Sequence, residues 1–154
     1  MSARTVFLPD EAATIAAAQA LAAAAPAPAV VFLEGDLGAG KSTLARAWLR
    51  ALGVTGTVRS PTYTLVERYP LADGGEAVHL DLYRLADAGE LDFLGLDELA
   101  GSARLWLVEW PERGRGGLPA PDLRLQLQGE GAGRRLGLDP TSPAGRAWLA
   151  GTPF

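Results

Sequence analysis

GDLGAGKST, residues 35–43, contains Lys41, the chain's single lysine against thirteen arginines. The pattern Gly35-x-x-x-x-Gly40-Lys41-Ser42 supplies the residue types of a phosphate cradle. Its glycines let the backbone turn several N–H groups toward phosphate oxygens. A helix starting at Lys41 adds uncovered amides and a positive dipole end. Ser42 offers a hydroxyl to Mg²⁺, and Lys41 offers a compact ammonium for the outer phosphates. A planar, forked guanidinium does not fit a loop built around a point charge. That accounts for one lysine in a chain that otherwise uses arginine.

A loop holding a Mg²⁺–nucleotide needs a carboxylate at the end of a neighbouring buried strand. Glu109 follows the apolar run LWLV and is placed for that role, as a ligand of Mg²⁺ together with Ser42. Asp81 lies in VHLDLY, where Val78, Leu80 and Leu82 share one face of a strand and His79, Asp81 and Tyr83 the other. Asp81 has two readings, a site carboxylate or an ion-pair partner on a half-exposed strand, for instance with Arg84. His79, the only histidine, reads first as a structural residue. In RSPT, Pro61 fixes its own φ and keeps Ser60 extended, and the segment reads either as a switch that holds the Thr62 hydroxyl near a γ-phosphate or its cation, or as an ordinary strand entry. Arg113 and Arg115, in WPERGRGGLP, read either as a phosphate-sensing loop or as a solvated connection. Glu11 and Thr14 are the candidates for contact with a base.

These residues need a scaffold of alternating strands and helices. TVFL is a strand, and Pro9 opens a helix over about 10–25 with Asp10 and Glu11 in its first turn. VVFLEG is a continuous apolar run between turn residues, as in a strand buried on both faces. The helix from Lys41 ends at Gly53, with Leu44, Trp48 and Leu52 on one face. TVRSPTYTLVERYP reads as extended and is joined through the turn ADGG to the strand EAVHLDLYRL. AGELDFLGLDELAG forms one or two short helices, and ARLWLVEW a second fully apolar strand. DLRLQLQ and RRLGLD flank the turn GEGAG, and a short helix near Arg146–Leu149 closes the chain. The pattern is an α/β, P-loop NTPase-like three-layer fold. Its sheet is mixed, mostly parallel with an antiparallel portion.

Bulk composition narrows the classes. The chain has 154 residues, enough for one domain (1–154) with a core of its own. It has no cysteine, which removes disulfides, thiolate metal sites and cysteine nucleophiles and fits a cytoplasmic location. A net charge of −4 gives little basic excess for gripping nucleic acid directly. The Ala-rich segment after Asp10 and Glu11 reads better as an amphipathic helix than as a leader, and nothing in the sequence resembles a membrane span. With no Asn and one Lys already used, the guanine-reading Asn-Lys-x-Asp motif cannot be built.

Taken in order, GDLGAGKST, VRSPTYTLVERY, HLDLYRL, LDFLGLDEL and LVEWPERG resemble the TsaE (YjeE) family, the small P-loop ATPases of bacterial tRNA threonylcarbamoyladenosine biosynthesis. The resemblance runs from about Pro9 to Pro119. It implies slow hydrolysis of ATP with Mg²⁺, and action with TsaD and TsaB, so that tRNA is met only through the complex. It further implies that Lys41 and the amides of Leu37, Gly38, Ala39, Gly40, Lys41, Ser42 and Thr43 hold phosphates. Ser42 and Glu109 would bind Mg²⁺, while Asp81, Thr62 and Trp110 shape the active site. Family members commonly carry threonine where Ser42 stands, which keeps the hydroxyl, and lysine where Arg59 stands.

The catalytic candidates are therefore Lys41, Glu109, Asp81 and Thr62. Either Glu109 or Asp81 orients the attacking water; both assignments stay open at this point. No arginine finger is apparent in the sequence, so weak activity alone and faster turnover with a partner are expected. Two other functions compete: a small-molecule or nucleoside kinase, and a non-catalytic subunit whose nucleotide state gates docking.

Overall fold

The computed structural model describes residues 3–61 and 64–154. β1 (Arg4–Leu8) leads into α1 (Glu11–Ala24), whose N-cap Asp10 accepts a hydrogen bond from the Ala13 amide at 2.9 Å. β2 (Ala29–Glu34) runs through the glycine loop into α2 (Lys41–Ala51). β3 (Val66–Pro70) and β4 (Glu76–Asp81) form the expected hairpin. A 3-10 helix (Ala88–Leu94) and α3 (Leu96–Ala100) lead to β5 (Ala103–Glu109) and a second 3-10 turn (Pro111–Gly114). β6 (Leu123–Glu130), β7 (Gly133–Pro140) and α4 (Pro143–Ala150) complete the described elements.

The seven strands form one sheet in the order β1-β7-β6-β2-β5-β4-β3. β6, β2, β5 and β4 are mutually parallel at its centre. The pairs β1–β7, β6–β7 and β3–β4 are antiparallel. The expected mixed α/β sheet is present, with the parallel pairings in the middle and the antiparallel ones toward both edges.

Strand alternation sends side chains into two cores. On one face Val31, Leu33, Leu105, Leu107 and Leu125 pack under α1, α2 and α4, with Leu21, Leu44, Trp48 and Trp148. Trp48 and Trp148 meet edge to face at 5.7 Å, a favoured aromatic geometry. On the other face Val78, Leu80, Trp106 and Val108 pack against Leu91 and Leu99 of the short helices. The sheet is thus the middle of three layers. The carboxyl ends of its parallel strands form one edge, where α/β sheets place their ligands.

Within residues 57–70 the strand among the described residues is β3, and residues 57–60 join no ladder. One expectation needs correction. Asp81 does not lie on a half-exposed strand, since all six residues of β4 are buried.

Candidate nucleotide site

The glycine loop leaves β2 at Glu34, whose carboxylate is held in a bidentate pair by Arg124 of β6 at 2.9 Å and 2.9 Å. Gly35 then takes φ +147°, and a Cβ there would overlap the backbone carbonyl of Leu127. Gly40 caps α2 in the left-handed region at φ +105°, and no side chain caps the first amides of the helix. Those amides and the dipole end stay available to an anion. At the far end Leu52 and Gly53 (φ +92°) close the helix as expected.

Lys41 is buried in the first turn of α2. Its ammonium donates to the Gly35 carbonyl and sits 3.9 Å from the centroid of the Trp110 ring. Burial holds this ammonium below the ordinary lysine range, while Glu109, Asp81, Glu112 and Asp36 push the other way. A desolvated cation with carboxylates in its neighbourhood is a site where charge is concentrated.

The carboxylates come from adjacent parallel strands, with Asp81 in register with Glu109. Both are buried, and both lie on the α2 side of the sheet. Asp81 accepts a hydrogen bond from the Tyr83 amide at 3.1 Å. Burial raises its carboxyl above the ordinary carboxylate range, and nearby Glu109 adds to the rise. Glu109 Oε2 lies 2.5 Å from Nε2 of His79, in a pair buried on both sides.

Trp110 follows Glu109 with φ 56° and ψ 51°, a left-handed conformation unusual for so large a residue. The turn sends its ring back over Lys41 and against Tyr83, with ring centroids 5.0 Å apart. Leu37, Gly38, Gly40, Lys41, Ser42 and Thr43 enclose a cleft of about 260 Å³ with Asp81, Tyr83, Glu109, Trp110 and Arg134. Ser42 is exposed there, and Ala39 is buried behind the loop. Thr62 lies outside the described residues.

Arg134 is the functional candidate that sequence reasoning missed. It stands on β7, and its guanidinium occupies the space a Gly40 Cβ would need. By contrast, Arg113 stacks over the Tyr83 ring at 5.3 Å, and Arg115 lines a separate hollow beside Phe32, Glu34 and Arg124. Neither lines the cleft. Of the candidates for base contact, Glu11 lines a groove between α1 and α2 that also includes Thr43. Thr14 is buried, with its hydroxyl turned to the Asp10 carbonyl.

Comparison with known proteins gives the family. Residues 8–136 match the family model described as "Threonylcarbamoyl adenosine biosynthesis protein TsaE". The chain belongs to the TsaE family. The TsaE protein of Haemophilus influenzae is 41% identical over 98 residues, covering 64% of this chain and 61% of that protein. The TsaE protein of Synechocystis is 41% identical over 111 residues, covering 70% and 69%. These matches span roughly two thirds of the relatives' length, since 61% and 69% are covered. The crystal structure of Bacillus subtilis YdiB superposes with a TM-score of 0.77 at 29% identity, covering 97% of this chain and 94% of that one. Among the described residues no helix is long and apolar enough to cross a membrane.

Proposed function

We propose that this chain binds ATP with Mg²⁺ and hydrolyses it slowly, in the cytoplasm. It acts with TsaD and TsaB in forming threonylcarbamoyladenosine next to the anticodon of tRNA, and supports turnover of that complex. One observation carries the nucleotide reading. The uncapped start of α2, the Lys41 ammonium and the in-register pair Asp81 and Glu109 meet in a single cleft. Family membership and the printed names of the TsaE relatives support the place in tRNA modification.

The donor set suits Mg²⁺. Ser42 and Glu109 bring oxygen ligands to the cleft wall. Among the described residues no three His, Cys, Asp or Glu side chains are grouped to hold a metal alone. The rest of the shell would come from nucleotide and water oxygens. Bound there, the cation would draw charge from the β- and γ-phosphates.

In this mechanism Lys41, the amides of Leu37 to Thr43 and the Arg134 guanidinium hold the phosphate oxygens. Water attacks the γ-phosphorus in line as the bond to the bridging oxygen breaks, leaving ADP and inorganic phosphate. Glu109 would hold the cation, and either Glu109 or Asp81 would orient the water; both line the cleft. Thr62, which lies outside the described residues, is proposed to meet the γ-phosphate.

The test is ATP binding and hydrolysis by the purified protein, with the TsaD–TsaB pair added or withheld. Binding alone, slow hydrolysis and acceleration by the pair are expected. Failure to bind ATP would remove the nucleotide reading, and equal rates with and without the pair would remove the partner's role. A kinase has little support here, because the arginines of its expected lid do not line the cleft. A gating subunit without catalysis would show nucleotide-dependent docking and no phosphate release.

A further inference from the structure

We infer that His79 is a positioning residue for Glu109: it fixes one carboxylate oxygen from inside the sheet so that the other is presented to the cation. The inference rests on the proposed assignment of Glu109 as the cation's carboxylate. It starts from a side chain that the mechanism otherwise leaves without a task.

The two groups are brought together by strand pairing. β4 and β5 are parallel, Asp81 is opposite Glu109, and His79 lies two residues back on the same face. From there the imidazole reaches diagonally to Oε2, at 2.5 Å between heavy atoms. Each side chain is 3% exposed, so water does not compete for the bond. Glu109 nevertheless lines the cleft. With Oε2 taken by His79, Oε1 is the oxygen left for a ligand.

Hydrogen-bond accounting sets the tautomer. His79 Nδ1 is buried with no partner among the described residues. A proton on Nδ1 would bury an unsatisfied N–H, and Nε2 would then present a lone pair to a carboxylate oxygen. With the proton on Nε2, the ring donates to Glu109 and only a bare acceptor is left buried, the cheaper arrangement. An imidazole N–H restrains the carboxylate from one side and leaves its other oxygen to the cation. Asp81, on the same face, accepts from the Tyr83 backbone amide.

The test titrates Mg²⁺ into the ADP-loaded protein by calorimetry and separately measures ADP affinity in EDTA. His79→Leu should weaken Mg²⁺ binding about 10- to 100-fold, the usual cost of losing a partner behind a metal ligand. ADP affinity in EDTA should stay unchanged, and His79→Gln, which restores a side-chain N–H donor, should recover most of the loss. Glu109→Gln separates the two layers of the argument. If it leaves Mg²⁺ affinity intact, the assignment of Glu109 fails and His79 falls with it. If it weakens Mg²⁺ while His79→Leu does not, only the inference about His79 fails. Equal losses with and without Mg²⁺ in His79→Leu would reduce the residue to a structural role and overturn the inference. Nitrogen NMR of the wild-type imidazole gives a check that needs no variant to fold. A proton on Nε2 is expected, and one on Nδ1 overturns the proposal.

Discussion

The Lys41 ammonium rests 3.9 Å from the centre of the Trp110 ring, and Trp110 reaches that position from a left-handed backbone turn at φ 56°. The cation is thus held between an aromatic face and the Gly35 carbonyl, beside Glu109 and Asp81. Space around it is tight, because the group is buried. A guanidinium placed here would have to displace either the ring or the loop. Lys41→Arg is therefore expected to lose ATP binding as completely as Lys41→Ala. Normal ATP affinity of the arginine variant, measured by calorimetry, would refute this account of the lone lysine.

Trp110 is also positioned to report on the ligand. Trp48, Trp106 and Trp148 are buried in the two cores, whereas Trp110 lines the cleft. Nucleotide binding should change tryptophan emission in the wild type, and the change should vanish in Trp110→Phe. Trp110→Ala should weaken ATP binding by a few-fold to about 30-fold, the range set by losing a partly desolvated cation–π contact of about 1–2 kcal/mol. An emission change that survives in Trp110→Phe would assign the signal to a core tryptophan and count against a rigid Lys41–Trp110 contact.

How much of this was legible beforehand depended on the reach of each signal. The cradle, α2 and the buried strands are written in local spacing, so Lys41, Ser42 and Glu109 could be named from the chain alone. Strand alternation placed His79 and Asp81 on one face, but their approach to Glu109 needed the pairing of β4 with β5. Arg134 carried no local mark. It reaches Gly40 only because β7 lies beside β6 and β6 beside β2, a relation that no window of sequence contains. The turn at Trp110 was equally hidden, since a positive φ at a tryptophan is imposed by its surroundings rather than by propensity.

Two glycines of the loop should differ in what a methyl group costs. At Gly35 an added Cβ meets the fixed backbone carbonyl of Leu127; at Gly40 it meets the movable guanidinium of Arg134. Both positions have positive φ, so each alanine carries backbone strain of about 1–3 kcal/mol. Gly35→Ala adds a clash that the sheet cannot relieve and should destabilise the protein more than Gly40→Ala in urea unfolding. Gly40→Ala should instead act on the site, by pushing Arg134 out of the cleft. The reverse order of stabilities would show that the loop, and not the sheet behind it, absorbs the Gly35 clash.

Arg134 should matter to turnover more than to folding. Its guanidinium has no ion-pair or hydrogen-bond partner among the described residues, and the space it occupies borders the phosphate cradle. A group that stabilises charge on the transferring phosphoryl lowers the barrier more than it tightens ground-state binding. Arg134→Ala should slow hydrolysis at least about tenfold, or roughly 1.4 kcal/mol of barrier, with a melting temperature close to that of the wild type. Arg134→Lys should restore little, because a point charge does not reproduce the fork. A variant that hydrolyses ATP at the wild-type rate would place Arg134 outside the machinery.

Asp81 sets function against stability. Burial and the neighbouring Glu109 raise its carboxyl above the ordinary value of 3.8. The folded protein therefore holds this proton more tightly than the unfolded chain does. As pH rises from that ordinary value through the folded-state value, the unfolded chain releases the proton first, and stability is lost across the window. Above it, the ionised group leaves a constant deficit. Asp81→Asn removes the deficit and keeps an oxygen to accept from the Tyr83 amide. At neutral pH it should raise stability by about 1 kcal/mol, or about 2–4 °C in melting temperature for a domain of this size. The gain should shrink toward zero as pH falls to the ordinary carboxylate value, while hydrolysis drops at every pH because the cleft loses one of its two carboxylates. Melting curves of both proteins across that range decide the matter. A lower melting temperature for Asp81→Asn at neutral pH, or a gain that does not vary with pH, would mean that the charge is matched by its surroundings and that the raised carboxyl is not what the site costs the fold.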